Sequence, residues 1–197
     1  MPFTDLQIDI PQGLSTDEFV LRPITTGDAE MDYEAVMESR DYLRKWEQST
    51  WPEDDFTVAA NLKDLQELER RHSAQQAFTY TVVDPPGTRC LGCVYFMAPN
   101  AGMFTKSEIT PVRSEQWEDY EAMVYFWVRK SHLASGTDRA LLDSLRPWID
   151  LEWKFQRRLF ITNEQFTQQV DMIERAGLQL RFTIKEPDNP GTYLAYE

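Results

Sequence analysis

Cysteine and histidine are scarce: the 197 residues include two of each. A structural zinc site takes four ligands, so Cys90 and Cys93, spaced C-x-x-C, cannot complete one alone, and His72 and His132 show no ligand spacing. A redox C-x-x-C opens a helix, whose dipole lowers a thiol pKa. Here the pair lies in Arg89–Phe96, a run of strand formers, and positions three apart on a strand face opposite sides. The spacing is therefore expected to be incidental, and no metal site is expected. A run of about 18 apolar residues is also lacking, which argues against a membrane span. The segment beginning Met1-Pro2-Phe3-Thr4-Asp5 has neither the basic patch nor the apolar stretch of a secretory signal, so a cytoplasmic location is expected. Positive charge is in deficit: 20 Lys and Arg face 33 Asp and Glu, for a net charge of −13. Such a surface repels phosphate backbones and anionic lipid, which disfavours nucleic-acid and membrane partners; it suits solubility and attracts cationic small molecules or basic peptide segments.

Apolar material is ample. Hydrophobic residues make up 42% and aromatics 13% of the chain, too much for disorder and enough for one sizeable core. No repeat, low-complexity stretch or linker divides residues 1–197, which are expected to form one domain after an irregular lead-in over 1–18.

Phe19–Ile24 is a short apolar run ending near a proline and predicts a first strand. Thr25-Thr26-Gly27-Asp28 supplies helix-start chemistry, and Ala29, Tyr33, Val36, Met37 and Leu43 mark one helical face. Thr57 is placed to cap a second helix carrying Leu62, Leu65 and Leu68. Residues 77–97 predict a hairpin about the turn Asp84–Thr88. Residues 98–119 form a long polar excursion, a kind of loop that is often functional or mobile. Tyr120–Val128 is expected to be a central strand. Leu141, Leu142, Leu145, Trp148 and Ile149 restore helical periodicity, with Pro147 expected to kink or split that helix. Arg158–Thr162 is another strand, followed by a helix capped by Thr162 or Asn163 and stopped at Gly177. Two strands, near 180–185 and 192–196, close the chain about the turn 187–191. The order is β-α-α-β-β-β-α-β-α-β-β.

Across residues 19–197 this order resembles the GNAT N-acetyltransferases. Leu21-Arg22-Pro23 with Gly27-Asp28-Ala29 resembles that family's first strand and helix start. Val128, Gly136 and Ala140-Leu141-Leu142 resemble its acetyl-CoA-holding strand, loop and helix; Asn163 with Glu174-Arg175-Ala176-Gly177-Leu178 resembles its fifth strand and last helix. The resemblance implies an α+β fold with a mixed twisted sheet of about six or seven strands and about four helices. It also implies acetyl-CoA or another acyl-CoA as cofactor, with pantetheine between two splayed strands and the pyrophosphate on backbone N–H groups at a helix N-terminus. Trp127, Val128, Leu133, Ala134, Ser135, Gly136, Thr137, Asp138, Arg139 and Asn163 would then contact the cofactor. The acceptor would be a small-molecule or peptide amine attacking the thioester directly, in a chain whose possible assemblies include a homodimer.

The family's loop, Q/R-x-x-G-x-G/A, is matched here by Leu133-Ala134-Ser135-Gly136-Thr137-Asp138, in which Gly136 alone fits. Ser135 and Asp138 form an S-x-x-D capping-box pattern that would consume the donors a pyrophosphate needs. Ile173 stands where the family often has a tyrosine acid and is expected in the core. Tyr125, Tyr193 and Tyr196 are replacement candidates. Glu121, with Asp119 beside it, is the candidate base at the start of the central strand, and His132 is a second. Tyr125, Phe126, Trp127, Trp117, Tyr120, Trp46 and Trp51 are either core or the wall of an aromatic slot for an amine. Two functions stay open: an acyl-CoA-dependent N-acyltransferase with Glu121 and Tyr125 as catalytic residues, and a binding or regulatory module of the same fold without transfer chemistry.

Overall fold

The computed structural model describes Phe3, residues 9–187 and residues 189–197. Most of the expected lead-in before Asp9, and Asp188 in the 187–191 turn, lie outside the described residues. In chain order the strands are β1 (Leu14–Ser15), β2 (Val20–Pro23), β3 (Phe78–Val83), β4 (Cys90–Met97), β5 (Glu108–Pro111), β6 (Ala122–Val128), β7 (Arg158–Asn163), β8 (Leu180–Lys185) and β9 (Tyr193–Tyr196). The helices are α1 (Ala29–Glu38), α2 (Arg40–Glu47), α3 (Val58–Ser73), α4 (Gly102–Thr105), α5 (Lys130–Leu133), α6 (Thr137–Trp148) and α7 (Thr167–Arg175).

All nine strands join one mixed sheet in the order β1-β2-β3-β4-β6-β7-β9-β8-β5. β6 and β7 are its parallel pair, and the other neighbours run antiparallel. Strand alternation sorts the core into two layers. Val124, Phe126 and Phe160 pack with Leu141, Leu142 and Leu145 of α6 and Ile173 of α7 on one face. Met123, Tyr125, Trp127 and Ile161 pack with Val36, Leu43, Trp46 and Leu65 from α1, α2 and α3 on the other.

The architecture is the α+β fold expected, with more strands. The additional ones are β1, inside the expected lead-in, and β5, inside the polar excursion, where Glu108–Pro111 pairs with Phe182–Lys185 at the sheet edge. An edge strand needs no continuous apolar run, which is why the pattern of 98–119 hid it. The helix expected across Ala29–Leu43 breaks at the fully buried Ser39, whose hydroxyl accepts the Lys130 amide at 3.0 Å. Thr57 caps α3 as expected, accepting from the Ala60 amide at 3.1 Å. Pro147 does not split α6: the helix runs to Trp148 and then widens into a π-type turn over Ile149–Trp153. The π-type turn follows Pro147, closed by the Lys154 amide on the Ile149 carbonyl at 3.0 Å. α7 starts at Thr167, with Asn163 outside it accepting the Gln165 amide at 2.8 Å.

Candidate active site

β6 and β7 pair at three positions only, Ala122 with Arg158, Met123 with Leu159, and Val124 with Phe160. Beyond Val124 the two strands separate, although both continue, to Val128 and Asn163. Parallel strands cannot part without leaving backbone groups to satisfy. The Phe126 carbonyl accepts the Gln169 side-chain amide at 2.9 Å, and that amide's oxygen accepts the Thr162 hydroxyl at 2.5 Å. The Val128 carbonyl accepts the Tyr42 hydroxyl. The cleft is thus bridged by side chains from α7 and α2, and Gln169 is 2% exposed.

The chain after β6 folds into α5 and enters α6 through Gly136, whose φ of 79° favours glycine. The S-x-x-D capping box does not form. Ser135 donates instead to the His132 carbonyl at 2.8 Å. Asp138 turns inward, accepting from Gln168 Nε2 at 3.2 Å and from the Arg139 amide at 2.9 Å. The left-handed Gly136 takes the N-cap position, so Ser135 is one residue too early to cap. The preceding amides also have internal partners: Lys130 donates to Ser39, and Ser131 donates to Glu38 Oε1 at 3.1 Å. Glu38 further accepts Arg129 Nε at 2.6 Å, and these bonds hold its carboxyl down at about 2. A carboxylate of the protein itself therefore occupies the Ser131 amide, and a hydroxyl the Lys130 amide, just ahead of the loop.

Next to the cleft, on the α2 face of the sheet, lies a cavity of about 240 Å³. Trp46 and Glu47 at the end of α2, Tyr95 on β4, Tyr125 on β6, Tyr193 on β9 and Met103 contribute to its wall. Tyr125 is the residue immediately after the last β6–β7 pair, so the cavity meets the cleft where the cleft opens. Trp46 lies 6.1 Å from both Tyr95 and Tyr125, and Tyr125 lies 6.2 Å edge-on to Tyr193. Glu47 is an exposed residue on the rim of the cavity; crowding of its carboxyl by the surrounding protein, with Glu186 adding repulsion, pushes it up to about 7. Burial also pushes the Tyr125 phenol well above its ordinary value, so it keeps its proton, and its recorded bond is a long one to Met103 Sδ at 3.8 Å. The Tyr95 hydroxyl accepts from Trp127 Nε1 at 3.1 Å, and Tyr193 donates to the Glu47 carbonyl at 3.1 Å.

The residues singled out in the sequence are spread over several places. Tyr125 lines the cavity, with Trp127 behind Tyr95. Val128 lies on the cleft, and Leu133, Ala134, Ser135, Gly136, Thr137, Asp138 and Arg139 make the following turn and helix start. Asn163 ties β7 to the end of α2, donating to the Lys45 carbonyl at 2.9 Å. Glu121 sits at the closed end of the β6–β7 pair, accepting the Gln156 amide at 2.5 Å. His132 is in the α5 turn, and Ile173 is fully buried in the core. Of the aromatics, Trp46 joins the cavity, whereas Trp51 packs on Phe56 and Trp117 on Phe104. Glu47 was not singled out; the signal available was an acid beside Trp46 at a helix end, in a segment otherwise rich in surface charge.

No family model and no curated protein matches this sequence. Solved structures do match in fold. A ribosomal-protein-S5-alanine acetyltransferase from Vibrio fischeri superposes with a TM-score of 0.68 at 16% identity, covering 95% of each chain. The ribosomal L7/L12 alpha-N-protein acetyltransferase RimL, in complex with coenzyme A, gives 0.67 at 13%, covering 92% of this chain and 93% of its own. The microcin C7 self-immunity acetyltransferase MccE, in complex with acetyl-CoA and AMP, gives 0.68 at 12%, covering 95% and 96%.

Proposed function

We propose that this chain, which has the GNAT acetyltransferase fold, is an acyl-CoA-dependent N-acyltransferase whose amine acceptor enters the cavity beneath α2. The observation that carries this reading is the opening of β6 from β7 after Val124 and Phe160, directly beside an aromatic cavity with a carboxyl pushed up to about 7. RimL and MccE, whose folds match, are complexes with coenzyme A and acetyl-CoA, which supports the cofactor class.

In this reading an acyl-pantetheine arm lies in the cleft, in the place of the Gln169 side chain. Gln169 already places an amide there, donating to Phe126 O and accepting from Thr162. A secondary amide of the arm has the same donor and acceptor. When bound, acyl-CoA supplies the activated acyl group. Trp46, Tyr95, Tyr125 and Tyr193 receive the amine, whose cationic form is attracted to their ring faces. The ammonium has to lose a proton before it can attack, and Glu47 is the group placed to take it, with an ionisation matched to neutral pH. Tyr125, still protonated, is the phenol placed to return a proton to the leaving thiolate. Nothing in this scheme requires Glu121, which is committed to the Gln156 amide. The chain's negative charge suits a cationic amine or a basic peptide.

A second reading, a binding module without transfer chemistry, is favoured by one set of contacts. Asp138 is buried in the first turn of α6, where a pyrophosphate would need donors, and Glu38 holds the Ser131 amide just ahead of that loop. Incubation with acetyl-CoA and a panel of amines, with release of free thiol and a 42-dalton gain on the amine as readouts (about the mass of an acetyl group less a hydrogen), separates the two. Turnover that falls on substitution of Glu47 supports the transferase. Binding of amines without thiol release supports the module.

A further inference from the structure

Cys90 and Cys93 do not face opposite sides of β4. Val82 pairs with Gly92 and the next residue, Val83, pairs with Cys90, so Leu91 is an extra residue on β4. Gly92 absorbs this bulge at a φ of 153°, where a Cβ would lie 2.1 Å from the Trp127 carbonyl oxygen. A bulge reverses side-chain alternation. Both sulphurs therefore reach the α1 face, and there they meet Asp32. Cys93 Sγ lies 3.5 Å and Cys90 Sγ 3.7 Å from the same oxygen, Asp32 Oδ1. One ligand atom from each residue falls within 4.8 Å of the other two, and all three residues are buried.

We propose that Asp32, Cys90 and Cys93 form a buried binding site for a zinc-class divalent cation. In a tetrahedral zinc centre, bonds of about 2.3 Å to sulphur and about 2.0 Å to carboxylate oxygen set the sulphur–oxygen separation at about 3.5 Å. The two observed separations, 3.5 and 3.7 Å, agree with that value. The second carboxylate oxygen is held as metal ligands commonly are: Asn61 Nδ2 donates to Asp32 Oδ2 at 2.9 Å and to the Ala29 carbonyl at 3.0 Å, which fixes the carboxylate plane and aims Oδ1 at the sulphurs. Among the described residues, no lysine, arginine or histidine forms an ion pair with Asp32. On binding a cation the two thiols give up their protons, and the dication offsets most of the charge of the two thiolates and the carboxylate. Thr81, with its hydroxyl 3.7 Å from Cys90 Sγ, or a water takes the fourth position. The mixed thiolate and carboxylate set suits zinc over magnesium or calcium, which take oxygen ligands. Such a cation would pin α1 to β4. At its far end α1 carries Glu38, which holds the loop after β6.

The test uses the untagged full-length chain, produced with zinc and, separately, reconstituted with cobalt(II). The expected result is about one metal per chain, with thiolate-to-cobalt charge-transfer absorption and the visible bands of a tetrahedral site. Cys90→Ser and Cys93→Ser should each abolish or strongly weaken the charge-transfer absorption. Asn61→Ala, which leaves all three ligands in place, should weaken cobalt binding about 10- to 100-fold. Wild-type protein that acquires no stoichiometric zinc or cobalt by either route overturns the proposal and leaves two thiols hydrogen-bonded to a carboxyl; that result stands even if a serine variant fails to fold. Charge-transfer absorption undiminished in both serine variants overturns it equally.

Discussion

Replacing Glu47 by glutamine keeps the shape of the cavity wall and removes the carboxyl assigned to proton transfer. In the wild type, crowding by the surrounding protein and the nearby Glu186 push that carboxyl up to about 7. The base form dominates above this value and falls about tenfold for each pH unit below it. The expected wild-type profile of kcat/KM therefore climbs with unit slope to about pH 7 and then levels. A positioned general base contributes about 10²- to 10⁴-fold, so Glu47→Gln should lose that factor at the plateau, and its profile should lack the acid limb. Glu186→Gln removes a repulsive neighbour from Glu47, so it should move the limb to lower pH with little change in plateau rate. The assay is thiol release across pH at saturating acetyl-CoA, with the amine varied below its KM. Retention of wild-type kcat/KM by Glu47→Gln, or an unchanged acid limb, would refute the assignment and return attention to Glu121.

Three further outcomes follow from the structure. Asp138→Asn keeps an acceptor for Gln168 and removes a buried negative charge from the first turn of α6. Charges about 4 Å apart repel by up to roughly 4 kcal/mol at an effective dielectric near 20, so calorimetric affinity for acetyl-CoA should rise, by up to about a thousandfold, and a fall would contradict the placement of the pyrophosphate. Glu38 has its carboxyl held at about 2 by Arg129 and Ser131, below its ordinary 4.5. Its contribution to stability is complete above that ordinary value and is lost as pH falls through about 2, so Glu38→Gln should narrow the difference in thermal midpoint between pH 7 and pH 3. Gly92→Ala forces a Cβ against the Trp127 carbonyl and should sharply lower the thermal midpoint; an unchanged midpoint would mean that the bulge relaxes freely.

The elements that build the cleft were legible because strong local signals mark them. The apolar run ending at Val128, the second run through Thr162 and the stop at Gly177 place two strands and the last helix in the right order. The sites of chemistry were less legible because they depend on long-range placement. Glu47 is an acid on a helix with other surface charges until Tyr125 and Tyr193, far along the chain, close a wall around it. Gln169 is one polar residue on α7 until β6 leaves the Phe126 carbonyl facing it. The pairing of Ser135 with Asp138 failed because left-handed Gly136 takes the cap position. Strict alternation put Cys90 and Cys93 on opposite faces, and the bulge beside Gly92, which no two-residue period contains, brings them together.

The most direct test of the account is a crystal structure of the protein with millimolar acetyl-CoA. The account predicts the pantetheine arm lying between Phe126 and Ile161, the Gln169 amide displaced from the Phe126 carbonyl, and the thioester beside Tyr125. A cleft unchanged from the ligand-free one, with Gln169 still bonded to Phe126 and no cofactor between the strands, would contradict it.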